Sequence, residues 1–116
     1  MRVIIAGSRT ITDPTIVALA VEGSGFNVTT VVSGGAHGVD YLGEEYAVAN
    51  ALNCTVYPAD WDTHGKQAGF LRNMKMAANA DALIAIWDGK SKGTAHMIEI
   101  AAIEGLQVHL HMVEDQ

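Results

Sequence analysis

The stretch Ala82-Leu83-Ile84-Ala85-Ile86-Trp87 is apolar at every position and runs directly into Asp88-Gly89. A strand with one face in water alternates apolar and polar residues, so an unbroken run predicts a strand buried on both faces. Val3-Ile4-Ile5-Ala6, ending at Gly7, has the same character. Working outward, further strands are expected over 28–32, over 55–57 before Pro58, and over 107–113. Between them lie helical patterns. One follows Thr12-Asp13-Pro14, an N-cap with an early proline, and runs to about residue 22, where Gly23 and Gly25 end it. Others are expected over 39–52, 68–80 and 94–104, the last stopped by Gly105, while 59–65 reads as a loop.

Short strands alternating with helices of ten or more residues build βαβ units on a parallel sheet. The expected fold is α/β: a single Rossmann-like three-layer sandwich over 1–116, with a five-stranded, mainly parallel sheet and helices on both faces.

Composition limits the function. The chain has 116 residues, 49% of them hydrophobic and 17% charged, which excludes intrinsic disorder. No apolar run is long enough for a membrane span, and the N-terminus lacks a signal-peptide pattern, so a cytoplasmic protein is expected. Seven Lys and Arg against 13 Asp and Glu give a formal charge of −6, which argues against nucleic acid as a partner. A small anion remains open, because backbone N–H groups at a helix start hold phosphate without net positive charge. Cys54 is the only cysteine and reads as a buried strand residue, leaving no disulfide and no Cys-based metal site.

The glycines locate the candidate site. In such folds ligands bind beyond the carboxyl ends of the strands, where strand order reverses. Three glycine-rich segments follow strands one, two and four, and each opens into a helix: Gly7-Ser8-Arg9, Ser33 to Asp40, and Asp88 to Thr94. Each alone could be a tight turn; together on one rim they point to a shared anion site. Neither the dinucleotide nor the nucleoside-triphosphatase glycine fingerprint is present.

Five motifs in order carry a resemblance: Gly7-Ser8-Arg9, Ser33-Gly34-Gly35-Ala36-x-Gly38-Val39-Asp40, Pro58-Ala59-Asp60-Trp61, Ala68-Gly69-x-x-Arg72-Asn73-x-x-Met76, and Trp87-Asp88-Gly89-x-Ser91-x-Gly93-Thr94. Over about residues 2–112 the sequence resembles the SLOG superfamily, in its small YspA-like branch. That superfamily also holds LOG phosphoribohydrolases, DprA-type DNA-processing proteins and sensors of nucleotide-derived signals. The resemblance implies a Rossmann-like fold and a ligand built on a nucleotide or phosphorylated ribose. Gly7, Ser8 and Arg9 would meet it from the first loop, and Ser33, Gly34, Gly35, His37 and Asp40 from the second. Asp60, Trp61, Arg72 and Asn73 would flank it, with Asp88, Gly89, Ser91, Gly93 and Thr94 in the last loop. His37 stands where relatives commonly carry arginine, and Asn73 where the LOG enzymes carry lysine.

One departure bears on chemistry. LOG enzymes have Gly-x-Gly-Thr-x-x-Glu in the last loop, and the glutamate takes part in cleaving the base–ribose bond. Here Thr94 is followed by Ala95-His96-Met97-Ile98-Glu99, so the first acidic residue comes more than a helical turn later. If the chain is an enzyme, Arg72, Asp88 and His96 are the catalytic candidates.

Plainer readings stand beside these. Arg9 and Arg72 could pair with surface carboxylates, and Asp40 could be a helix-capping acid. Trp87 reads as core, while Trp61 could stack on a base or cover the core; His64 is a further candidate in the same loop. His109 and His111 share one face of the last strand and suit a half-exposed edge better than a metal. Met74, Met76 and Met97 read as core. The sequence is therefore read as binding a nucleotide or a phosphoribosyl or ADP-ribose-like ligand, as a sensor or sequestering module. The alternative is a nucleotide N-glycosidase on the same site. Neither cofactor nor metal is expected, and self-association is expected by analogy, with the 68–80 helix as its surface.

Overall fold

A computed structural model describes residues 1–114. Strands β1 (Arg2–Gly7), β2 (Thr30–Ser33), β3 (Asn53–Val56), β4 (Ala82–Trp87) and β5 (Gln107–Met112) form one sheet in the order β3-β2-β1-β4-β5. Every pairing is parallel, so the "mainly parallel" expectation becomes wholly parallel. The chain first steps outward from β1 to β3, then returns to pair β4 against the other side of β1. Strand order therefore reverses between β1 and β4, which are in register from Val3↔Ala82 to Gly7↔Ile86.

The continuous apolar runs are buried on both faces, as their composition requires. Ile5, Ile84 and Ile86 pack on one face with Val17, Ala20, Val39 and Leu42, from helices α1 (Pro14–Ser24) and α2 (Val39–Ala49). Ile4, Leu83 and Ala85 pack on the other with Met76, Ala77, Met97 and Ala101, from α4 (Ala68–Ala78) and α5 (Lys92–Ile103). The result is a Rossmann-like α/β sandwich.

Local chemistry sets the helix ends. The Asp13 carboxylate accepts from Thr15 N at 3.0 Å and opens α1 at Pro14. Gly25, at φ +69°, closes it, while Gly23 is carried inside the helix rather than ending it. Ser91 Oγ accepts from Thr94 N and opens α5 two residues earlier than expected.

Several expectations need correction. Residues 59–65 are not a loop: Asp60 caps a short helix, α3 (Trp61–His64), through Thr63 N, and a 3-10 turn (Gly65–Gln67) leads into α4. β2 begins at Thr30 and β3 at Asn53, each shifted to match the neighbouring strand's register. Cys54 is exposed, because β3 is an edge strand rather than an inner one. Met76 and Met97 are core, but Met74 lies on the outward face of α4. Trp87 is half-buried, its Nε1 donating to the Ser91 carbonyl at 3.0 Å. His109 and His111 are half-buried on edge strand β5, as expected.

Candidate functional site

Two adjoining cavities open at the carboxyl ends of the strands, beside the β1–β4 reversal. The inner one, about 70 Å³, is bounded by Ala6 and Gly7 at the end of β1, Asp40 in α2, Arg72, Asn73 and Met76 in α4, and Ser91, Gly93, Thr94 and Met97 at the start of α5. The outer one, about 310 Å³, is bounded by Gly34, Gly35, His37, Pro58, Ala59 and Trp61. Arg9, Ala36 and Arg72 line both.

Glycine is a steric requirement of this arrangement at Gly7, where a Cβ would overlap the Ile86 carbonyl oxygen, and at Gly38. Gly38 has φ +74°, and a Cβ there would lie 2.4 Å from the Ser8 carbonyl oxygen and 2.6 Å from Arg9 Cα. The first and second loops therefore touch backbone to backbone, and Val39 N donates to Ser8 O at 3.3 Å. A Cβ on Gly34 would meet Arg72 Nη1 at 2.6 Å and Asp40 Oδ2 at 2.8 Å. Gly93 is different: its φ is ordinary and a Cβ would meet nothing within 4 Å. Neither packing nor backbone conformation accounts for glycine there.

Two guanidiniums and one buried carboxyl set the electrostatics of the cavities. Arg72 donates through Nη1 to the Gly34 carbonyl and through Nε to Asn73 Oδ1 at 3.0 Å. Burial lowers the Arg72 pKa, with Asp40 opposing and Arg9 reinforcing that shift. Asp40 is 6% exposed, and its Oδ2 accepts from Ala36 N at 3.2 Å. Burial pushes the Asp40 carboxyl up against the opposing pull of Ala36 N–H and Arg72; Glu44 adds to the rise. The Arg9 guanidinium is exposed and makes no hydrogen bond among the described residues. The amino end of α5 supplies the positive end of a helix dipole at the inner cavity.

A model of the YspA, cpYpsA-related SLOG family (YAcAr) matches residues 1–64. Gene 61 protein of Mycobacterium phage D29 is 41% identical over 117 aligned positions, covering 92% of this chain and 93% of that protein. The chain belongs to the YspA, cpYpsA-related SLOG family. No solved structure matches it.

Within this SLOG chain, the fold brings together most of the residues singled out from sequence. Seven do not line either cavity, among them His64, which ends α3. Ser8 is buried, its Oγ accepting from Asp88 N at 3.2 Å. Ser33 is also buried; its Oγ donates to Glu44 Oε2 at 2.7 Å and accepts from Gly35 N. Asp60 caps α3. Asp88 turns its Oδ1 to Lys90 N and Ser91 N, bonds that lower its pKa, and borders a separate groove beside Asp13 and Glu114. Gly89, at φ +80°, shapes that same turn. His96 sits behind Asn73, its ring against Phe70 with centroids 4.3 Å apart.

Sequence reasoning missed Ala36, which joins the two cavities and holds Asp40 by its amide, and Ala6, Met76 and Met97, which line the inner one. Met97 carried no signal, because a residue lining a cavity floor has the same apolar spacing as core; Met76 stood in the Arg72-Asn73-x-x-Met76 motif but was read as core. Met97 is the residue three positions after Thr94, where the LOG motif has its glutamate.

Proposed function

We propose that this SLOG chain binds a nucleotide-derived ligand through its phosphate, acting in the cytoplasm as a sensor or sequestering module rather than as a catalyst. The observation that carries the reading is the convergence of two guanidiniums, Arg9 and Arg72, with the amino end of α5 on one 70 Å³ cavity. A planar guanidinium grips phosphate by paired N–H donors, and helix-start amides add directed donors without net charge. The outer cavity, walled by half-exposed Trp61, has room and an aromatic face for the ribose and base. Family membership supports a nucleotide-related ligand in general.

Hydrolysis of the base–ribose bond is the second reading. One observation favours it: Asp40 is a buried carboxyl in the inner cavity with a raised pKa, as an acid–base group would be. Against it, Met97 replaces a carboxylate on the cavity floor, and His96 and Asp88 lie outside both cavities. Self-association belongs to the same proposal, through Phe70, Leu71 and Met74, which lie exposed together on α4.

Thermal unfolding against nucleoside monophosphates, NAD, ADP-ribose and cyclic nucleotides tests the binding reading. A ligand at a hundredfold its Kd adds about 2.7 kcal/mol of stability. Stabilisation by one class, abolished in Arg9→Ala and without release of free base, supports binding. Base release that is lost in both Asp40→Asn and Arg72→Ala would establish the hydrolase instead. No stabilisation across the panel overturns both. Sedimentation of wild type against Phe70→Glu reports the oligomeric state.

A further inference from the structure

A buried amide links the cavity to a histidine outside it. Asn73 is 5% exposed and stands between three groups. Its Oδ1 accepts from Arg72 Nε at 3.0 Å. Its Nδ2 lies 3.4 Å from the Gly93 carbonyl and 3.1 Å from His96 Nδ1. Two of those neighbours fix which way round the amide sits. A guanidinium N–H can only donate and a carbonyl can only accept, so the oxygen must face Arg72 and the nitrogen must face Gly93. The second hydrogen on Nδ2 is then directed at His96 Nδ1, which has to be a bare, accepting nitrogen. The imidazole proton must sit on Nε2.

We infer that His96 is a positioning residue of the ligand cavity: its unprotonated Nδ1 locks the Asn73 amide, and the amide in turn holds the Arg72 guanidinium. Asn73, Arg72 and Gly93 all line the inner cavity, whereas His96 does not, so it acts only through Asn73. The Phe70 ring packs against the imidazole, tilted 41° to it. Without the acceptor, a buried N–H loses its partner, and the amide is held only by Arg72 Nε and the long 3.4 Å contact to the Gly93 carbonyl, so its hold on the guanidinium loosens.

The tautomer is read directly from imidazole nitrogen chemical shifts in the full-length free protein. Wild type should show Nε2 protonated and Nδ1 bare. In Asn73→Asp the group facing His96 becomes an acceptor, so the proton should move to Nδ1. The effect on binding rests on the proposed function and is read separately, with the best ligand of the nucleotide panel as probe. His96→Leu should weaken it about fivefold, the loss of one net hydrogen bond. His96→Asn, which keeps an accepting oxygen near the Nδ1 position, should restore it to within about twofold of wild type. A proton on Nδ1 in wild type, an unchanged tautomer in Asn73→Asp, or His96→Asn binding as weakly as His96→Leu would each overturn the inference. If no nucleotide binds wild type, the spectra still decide whether His96 Nδ1 accepts from the Asn73 amide, and it is the reading of the cavity that fails.

Discussion

Replacing Gly93 with alanine separates binding from folding more sharply than any other single change. Gly93 is the second residue of α5, with an ordinary φ and no atom within 4 Å of where a Cβ would stand. Alanine is favoured over glycine in a helix by up to about 1 kcal/mol, largely because the unfolded chain loses freedom. The variant should therefore be as stable as wild type or more so, with Tm raised by up to about 4 °C for a chain of this size. On the proposed function, a methyl group at Gly93, which lines the 70 Å³ cavity, should nevertheless obstruct a phosphate approaching the amides of α5. Overpacking of this kind costs about 1–3 kcal/mol, so nucleotide affinity should fall about tenfold. Gly38→Ala is the control in the opposite sense. Its Cβ would collide with Ser8 and Arg9 backbone at a φ of +74°, so destabilisation of about 3 kcal/mol or more is expected. Gly25→Ala, equally left-handed but open around its Cβ, should cost only about 1 kcal/mol. Thermal unfolding with and without nucleotide measures all three. If Gly93→Ala unfolds as readily as Gly38→Ala, or binds nucleotide like wild type, the assignment of Gly93 to the ligand is wrong.

Other variants extend the test. Arg9→Ala removes an exposed guanidinium without a hydrogen bond among the described residues, so stability should change by less than about 0.5 kcal/mol. Nucleotide affinity should drop about tenfold or more and lose part of its salt dependence, as calorimetry at two ionic strengths would register. Asp40 has a raised pKa in the fold, so its contribution is fully present below the unfolded-state value and is lost as pH rises through the folded one. Asp40→Asn should therefore be the more stable protein at neutral pH, with the difference shrinking in acid; a wild type favoured at neutral pH contradicts this. Cys54, exposed on β3, should react with a thiol reagent in the native protein without unfolding, although partial burial and Glu44 push its thiol pKa up. Protection until global unfolding would contradict the edge placement of β3.

The inner strands were legible because burial on both faces leaves a signature no other element shares. Val3–Ala6 and Ala82–Trp87 are apolar at successive positions, and they form the paired centre of the sheet. The edge strands were placed less well. Asn53–Val56 has exposed residues and takes its bounds from pairing with β2, a long-range contact that leaves little trace in four residues. Helix α3 escaped notice because four residues cannot show a helical period, and its one signal was Asp60 three positions before Thr63. Within the site, glycines and arginines announced themselves by type. What type could not show was orientation. Ser8, Ser33 and Asp88 have ligand-like chemistry, yet each spends its polar atoms holding one loop to its neighbours. His96 and Asn73 meet only because α4 and α5 pack side by side.

On the proposed function, phosphate is held where Gly93 and Thr94 open α5, in the cavity that Arg9 and Arg72 also line. Nuclear magnetic resonance titration of the labelled protein with adenosine monophosphate, ADP-ribose and unphosphorylated adenosine tests it most directly. Saturable shifts at the amides of Gly93, Thr94 and Gly34–Ala36 and at the Arg72 side chain are predicted with a phosphorylated ligand, with adenosine leaving the α5 amides unmoved. Shifts confined to another surface, such as the apolar groove between α1 and α2 beside Leu42 and Tyr46, would contradict it. So would equal movement of the α5 amides by adenosine.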